Sequence, residues 1–184
     1  MINLNTSKIK ETTSKFYESK KNSKRITLED LRELKDLGIT TEQFLEYFCQ
    51  TSNALLHGSI FEITEGPLVS RRGKIYATDT PAVAIMRSLY SNECVNLFYP
   101  LKISQNTPFH LKIHTPADGK YIKKEIGFVY IITEVGFENN PEGSWQFIKN
   151  STAVPFDFIV ETTLEDFTYP VEVINDLDIK AAFD

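Results

Sequence analysis

Two stretches decide the reading of this chain: Leu55-Leu56-His57-Gly58-Ser59 and, after residues 60–72, Gly73-Lys74-Ile75-Tyr76-Ala77-Thr78-Asp79-Thr80-Pro81-Ala82-Val83-Ala84-Ile85. In the first, an apolar strand runs into His-Gly-Ser, which sets an imidazole at the strand's end and lets a glycine bring the backbone close to whatever sits there. In the second, a short strand carrying Tyr76 passes through Thr78 and Asp79 into a helix whose first turn has free backbone N–H groups. An aromatic face beside such a turn suits an anionic ligand. A structural account stands beside each: a histidine bonded to a neighbouring carbonyl, and a core tyrosine ahead of a capped helix.

Outward from these segments the texture differs on the two sides. Upstream, Thr27 reads as an N-cap with Asp30 in the first turn, Leu28, Leu31 and Leu34 recur at helical spacing, and Gly38 suits the position after the helix end. Thr40 and Gln43 then stand in capping-box spacing before the apolar face of Phe44, Leu45, Tyr47 and Phe48. Residues 27–50 therefore predict a helical hairpin, its wide apolar stripes packed on the rest of the domain. Downstream, strands are predicted at 54–57, 74–78, 95–103, 109–114, 127–133, 145–148, 155–161 and 171–174. One main helix interrupts them, from an N-cap at Thr80 and Pro81 at the first helical position to Tyr90, and residues 164–167 suit a single turn. Helices first and strands afterwards make the class α+β, mostly antiparallel. The chain divides into a basic flexible lead or helix at 1–26, the hairpin at 27–52 and one globular unit at 53–184. No Gly-rich phosphate loop or doubly wound pattern is present.

A chain of 184 residues, 41% hydrophobic, has room for one substantial core. It contains no apolar run long enough to span a bilayer, and the polar opening at 1–15 lacks the apolar stretch of a secretory signal, so a cytoplasmic, membrane-free location is expected. Two cysteines, Cys49 and Cys94, are too few for a disulfide scaffold and are expected to be reduced. The net charge of −5 argues against a dedicated nucleic-acid binder. Its distribution is uneven: Lys8, Lys10, Lys15, Lys20, Lys21, Lys24 and Arg25 face only Glu11 and Glu18 in residues 1–25, while residues 151–184 hold eight acids against Lys180. The basic lead reads either as a solvated run or as a contact for nucleic acid or an acidic partner.

Together the two opening segments resemble the first half of the ADP-ribosyltransferase-like superfamily, which includes poly-ADP-ribose polymerases, rifamycin ADP-ribosyltransferases and RNA 2′-phosphotransferases. The later Gly127-Phe128-Val129-Tyr130-Ile131-Ile132 strand and Val154-Pro155 are also similar to small prokaryotic members. The resemblance covers about residues 54–175 and implies a split β-sheet core that takes NAD as substrate. It implies that His57 contacts the adenosine ribose and Tyr76 stacks on nicotinamide, with Gly58, Ser59 and Thr78 lining the same groove and Arg71 and Arg72 near the pyrophosphate. Cleavage of the nicotinamide bond builds positive charge on the ribose, so the chemistry asks for a carboxylate there. The matching region, 142–151, offers Gln146 on the strand and Glu142 in the turn before it.

His110 and His114 share a strand face by alternation, yet no third ligand stands at a telling distance, and no metal is expected. Neither Ser59 nor Cys94 has a motif that would activate a nucleophile. The acids Glu161, Glu165 and Asp166 read as the solvated end of a strand and turn. Three readings follow: a transferase moving ADP-ribose to an unknown acceptor, a degenerate binding protein on the same scaffold, and an RNA-end phosphotransferase whose basic lead meets phosphate.

Overall fold

The computed structural model describes residues 6–70, 72–90, 97–98, 111–115, 124–133, 135–140 and 146–175, with the backbone alone for 97–98, 111–115 and 171–175. The lead is a helix, α1 (Thr6–Lys20), and not a flexible arm. Its buried Phe16 meets Phe44 edge-on, with ring centroids 5.9 Å apart. The hairpin follows as predicted, α2 (Leu28–Asp36) and α3 (Thr41–Ser52), each opened by a complete capping box, Thr27 with Asp30 and Thr40 with Gln43. Gly38 ends α2 at φ 80°, and the N–H groups of Gly38 and Ile39 close back on the Lys35 and Leu34 carbonyls. Only a left-handed residue at that point lets both bonds form, which explains the glycine.

Between α1 and α2 lies β1 (Arg25–Ile26), a two-residue strand too short to show in the sequence pattern. It joins β2 (Leu55–Ser59), β7 (Gly127–Ile132) and β11 (Phe158–Thr162) in a sheet of order β1-β11-β7-β2. A second sheet, β4-β9-β8, contains β4 (Lys74–Ala77), β8 (Glu138–Asn139) and β9 (Phe147–Asn150). A two-stranded pair, β3 (Leu68–Val69) with β10 (Ala153–Val154), and a three-stranded sheet of β5 (Leu97–Phe98), β6 (Leu111–Thr115) and β12 (Val171–Asn175) complete the strands. Pairing is antiparallel except for β1 with β11 and β12 with β6. The fold is thus α+β.

The central sheet is covered on both faces, as the burial of every β7 residue but the half-buried Phe128 requires. On one face Leu56, Val129, Ile131 and Val160 pack with α1, α2, α3 and α4 (Pro81–Leu89) around Phe44, Leu45 and Ile85. On the other, Tyr130, Ile132 and Ile159 pack with Ile75 and Ala77 of β4 and with Leu68 and Val154. The helices therefore share one core with the central sheet, β4 shares another, and the hairpin lies across the central sheet from β4.

α4 lies directly against the backbone of the sheet. A Cβ built on Gly58 would fall 2.1 Å from the Ala84 carbonyl oxygen, and one on Gly127 would fall 2.3 Å from that of Ser88. Thr80 occupies the N-cap position with Pro81 behind it, but its hydroxyl bonds Asp79 and caps nothing.

Of the three acids expected to be solvated, Glu165 is exposed, but Glu161 and Asp166 are not. Glu161 accepts from Arg25 and from the Leu28 N–H, tying β1 and the start of α2 to β11. Asp166, buried in a single 3-10 turn (Leu164–Asp166), meets Lys35, Thr41 and the Thr163 N–H. A buried carboxylate is tolerable only with such partners. The basic lead is likewise spoken for in part: Lys15 pairs with Glu11, Lys21 with Glu18, Lys20 with Asp30 and Glu33, and Arg25 with Glu62 and Glu161.

Candidate functional site

The two segments that opened the sequence reading meet at the junction of two sheets. Leu56 and Thr78 exchange both backbone hydrogen bonds, at 2.7 and 2.8 Å, in a single antiparallel bridge, after which β2 and β4 part company. β2 stays in the central sheet and β4 pairs with β9. This split is where the candidate residues gather.

Alternation along β2 sends Leu56 and Gly58 toward α4 and His57 and Ser59 to the opposite face, where His57 lies beside Tyr130 at 6.2 Å between ring centroids. His57 Nδ1 donates to the Tyr76 carbonyl at 2.6 Å. Because a carbonyl can only accept, that bond fixes the hydrogen on Nδ1 and leaves Nε2 as an acceptor with no hydrogen bond among the described residues. Burial pushes the imidazole below its ordinary range, opposed by the bond to Tyr76, so the ring is neutral at pH 7. In that tautomer Nε2 can only accept a hydrogen bond.

Tyr76 points the other way from its neighbours. Ile75 and Ala77 are buried in the core under β4, and Tyr76 between them is 45% exposed. The strand register extends this outer face. Tyr76 stands opposite Ile148, and Ile148 opposite Glu138, so the three form one outward row in which the carboxylate and the tyrosine are two strand spacings, about 10 Å, apart. Phe137, Lys149 and Ile75 form the inner row beneath, and the Lys149 ammonium over the Phe137 ring agrees with that assignment. Glu138 is exposed and Ile148 half-buried between it and Tyr76.

The other predicted residues divide. Gln146 precedes β9 and, by continuation of the register, faces Thr78; its Oε1 accepts from Asn140 Nδ2 at 2.9 Å. Thr78 is buried, and its hydroxyl accepts from the Thr80 N–H at the turn into α4. Gly58 does not line the split: its α-carbon faces α4, where helix and strand are too close for a side chain. Ser59 accepts from the Phe61 N–H and so shapes the loop after β2. Arg72 is exposed, its N–H donating to Ser70. Glu142, Arg71, His110 and Cys94 lie outside the described residues, as does the side chain of His114.

Glu138, on the outer row with Tyr76, was not singled out from the sequence. A two-residue edge strand carries no periodicity to find, and the only signal was an acid standing eight residues ahead of Gln146 in a turn-rich stretch. Cys49 is no nucleophile: burial, with lesser help from the charges of Asp79 and Glu46, pushes its thiol up to about 12.

Among the described residues no group of three His, Cys, Asp or Glu side chains is arranged to hold a metal, and no helix is long and apolar enough to cross a membrane. Fold and site together define an α+β protein with a neutral histidine bonded to the backbone of an exposed tyrosine where its sheet divides, and a carboxylate two strands away on the tyrosine's outer face. Comparison with protein-family models, with curated proteins and with solved structures finds no match to this chain.

Proposed function

We propose that the chain binds NAD at the split between β2 and β4 and transfers ADP-ribose from it to an acceptor, on a scaffold like that of the ADP-ribosyltransferases. The observation that carries this reading is the junction itself: one hydrogen bond joins His57 to the Tyr76 backbone and leaves Nε2 and the tyrosine ring both available. In this reading Nε2 accepts from a ribose hydroxyl, the Tyr76 ring stacks on nicotinamide, and Glu138 supplies the carboxylate that Gln146 cannot. As the C1′–N bond breaks, its electron pair goes to the pyridinium nitrogen and releases neutral nicotinamide. The ribose takes the positive charge, which an anion across the row steadies. The acceptor then forms the new C1′ bond and gives up its proton.

One observation favours a second reading, a nucleotide-binding protein without transfer: the strand position expected to hold an acid holds Gln146, already bonded to Asn140. The RNA-end phosphotransferase has less behind it, since Lys15, Lys20, Lys21 and Arg25 are paired within the chain. The deciding experiment has two arms. NAD and ADP-ribose raise the melting temperature of the wild type in proportion to ligand, and His57→Ala loses the rise. Glu138→Gln keeps the NAD shift and lowers nicotinamide release at least about 100-fold, as loss of an electrostatic stabiliser does. Binding without release in the wild type selects the second reading, and no shift at millimolar NAD removes both.

A further inference from the structure

The loop after β2 holds one side chain in water with unusual care. Phe61 is 65% exposed, and its ring makes no aromatic contact among the described residues. Its backbone, by contrast, is fastened at both ends: the N–H donates to Ser59 Oγ at 3.1 Å, and the carbonyl accepts from the Tyr130 hydroxyl at 3.0 Å. The same hydroxyl accepts from the Ile63 N–H at 2.6 Å, and the Glu62 carboxylate between them is paired with Arg25. Tyr130 is itself fully buried, so a core phenol uses both its donor and an acceptor site to set the course of a surface loop. Everything around Phe61 is tied down except its ring.

We infer that Phe61 is a stacking surface for the adenine ring of the dinucleotide, an inference that rests on the reading of the split as an NAD site. A phenylalanine on a mobile loop must be ordered by each ligand it meets, whereas one whose backbone is already held gives up less freedom on stacking. Arg25, the cation beside the loop, is already shared by Glu62 and Glu161, so it is not free to meet a phosphate, and the exposed ring suits a neutral planar partner. Phe61 follows His57 by four residues, at most about 13 Å along an extended chain. The pyrophosphate link between the two rings of a dinucleotide covers that span. With nicotinamide at Tyr76 and ribose at His57, the purine arrives at Phe61.

Titration calorimetry with AMP and with nicotinamide mononucleotide separates the two ends of the ligand. Phe61→Ala is expected to weaken AMP and ADP-ribose at least about fivefold, the low end for loss of a base-stacking aromatic, and to leave nicotinamide mononucleotide unchanged. Phe61→Trp keeps AMP affinity and Phe61→Leu does not. Ser59→Ala, which frees the loop but spares the ring, weakens AMP by a smaller factor. AMP affinity equal in wild type and Phe61→Ala, or loss of both mononucleotides alike, overturns the assignment while NAD binding stands. A wild type that binds neither mononucleotide nor NAD overturns the reading of the split, and this inference with it.

Discussion

At the scale of the residue, two influences on the charge of His57 oppose each other. Its Nδ1 hydrogen belongs to the Tyr76 carbonyl, and its burial favours the neutral ring. The imidazole of the folded protein therefore titrates below the ordinary 6.5 that the unfolded chain shows. In that window the unfolded chain binds the extra proton and the folded one does not, so stability is full above 6.5 and falls as the pH drops through it toward the lower folded value. Melting curves of wild type and His57→Asn from pH 8 to 5 should diverge in slope below 6.5, with the wild type losing more of its melting temperature. Equal slopes would mean that His57 is not held neutral. The same residue was readable in the sequence because an apolar strand ending in His-Gly-Ser is a pattern. Glu138 was not, since its place comes from the register of β8 on β9, a pairing between segments that neither sequence announces.

Elements reveal their positions unevenly. The hairpin was legible because two capping boxes and a left-handed glycine are local devices, written within a few residues of where they act. Four of the five two-residue strands, β1, β3, β8 and β10, have no such mark, being made by their neighbours. Gly58 shows how a glycine can be needed for a reason its motif does not suggest: the glycine of His-Gly-Ser faces the backbone of α4, not the split. Replacement by alanine would set a methyl 2.1 Å from the Ala84 carbonyl, with no flexible side chain able to yield. Gly58→Ala should cost about 2–3 kcal/mol by overpacking, read as a melting point lower by about 5–10 °C. The same variant displaces α4 and β2 together, which separates a packing role from a ligand contact: NAD affinity per folded molecule should change far less than stability.

Over the whole molecule, the helices belong to the sheet and not to the split. Phe16, Phe44 and Phe48 share a core with Leu56, Val129 and Val160, while His57 and Tyr130 occupy the opposite face. The hairpin therefore packs on the face of the central sheet away from His57 and Tyr130. What the sequence could not disclose at this scale was the junction of the two ends of the chain, where Arg25 from the basic lead meets Glu161 from the acidic segment. Opposite charge was visible as composition; the contact depends on β1 lying beside β11, with Arg25 opposite Ile159 and Ile26 opposite Val160. That short strand has a further consequence. β11 reads Phe158-Ile159-Val160-Glu161-Thr162, an apolar and β-branched run whose outer backbone groups β1 meets in part. Arg25→Glu leaves Phe16 and Ile26 available to the core but sets a like charge against Glu161 and Glu62, so it should loosen β1 from β11 and make the chain elute from a sizing column as growing oligomers, whereas the charge swap Arg25→Glu with Glu161→Arg should elute as the wild type does. In this light β1 is a guard against self-templating, a two-residue stopper that keeps the molecule from adding copies of itself edge to edge.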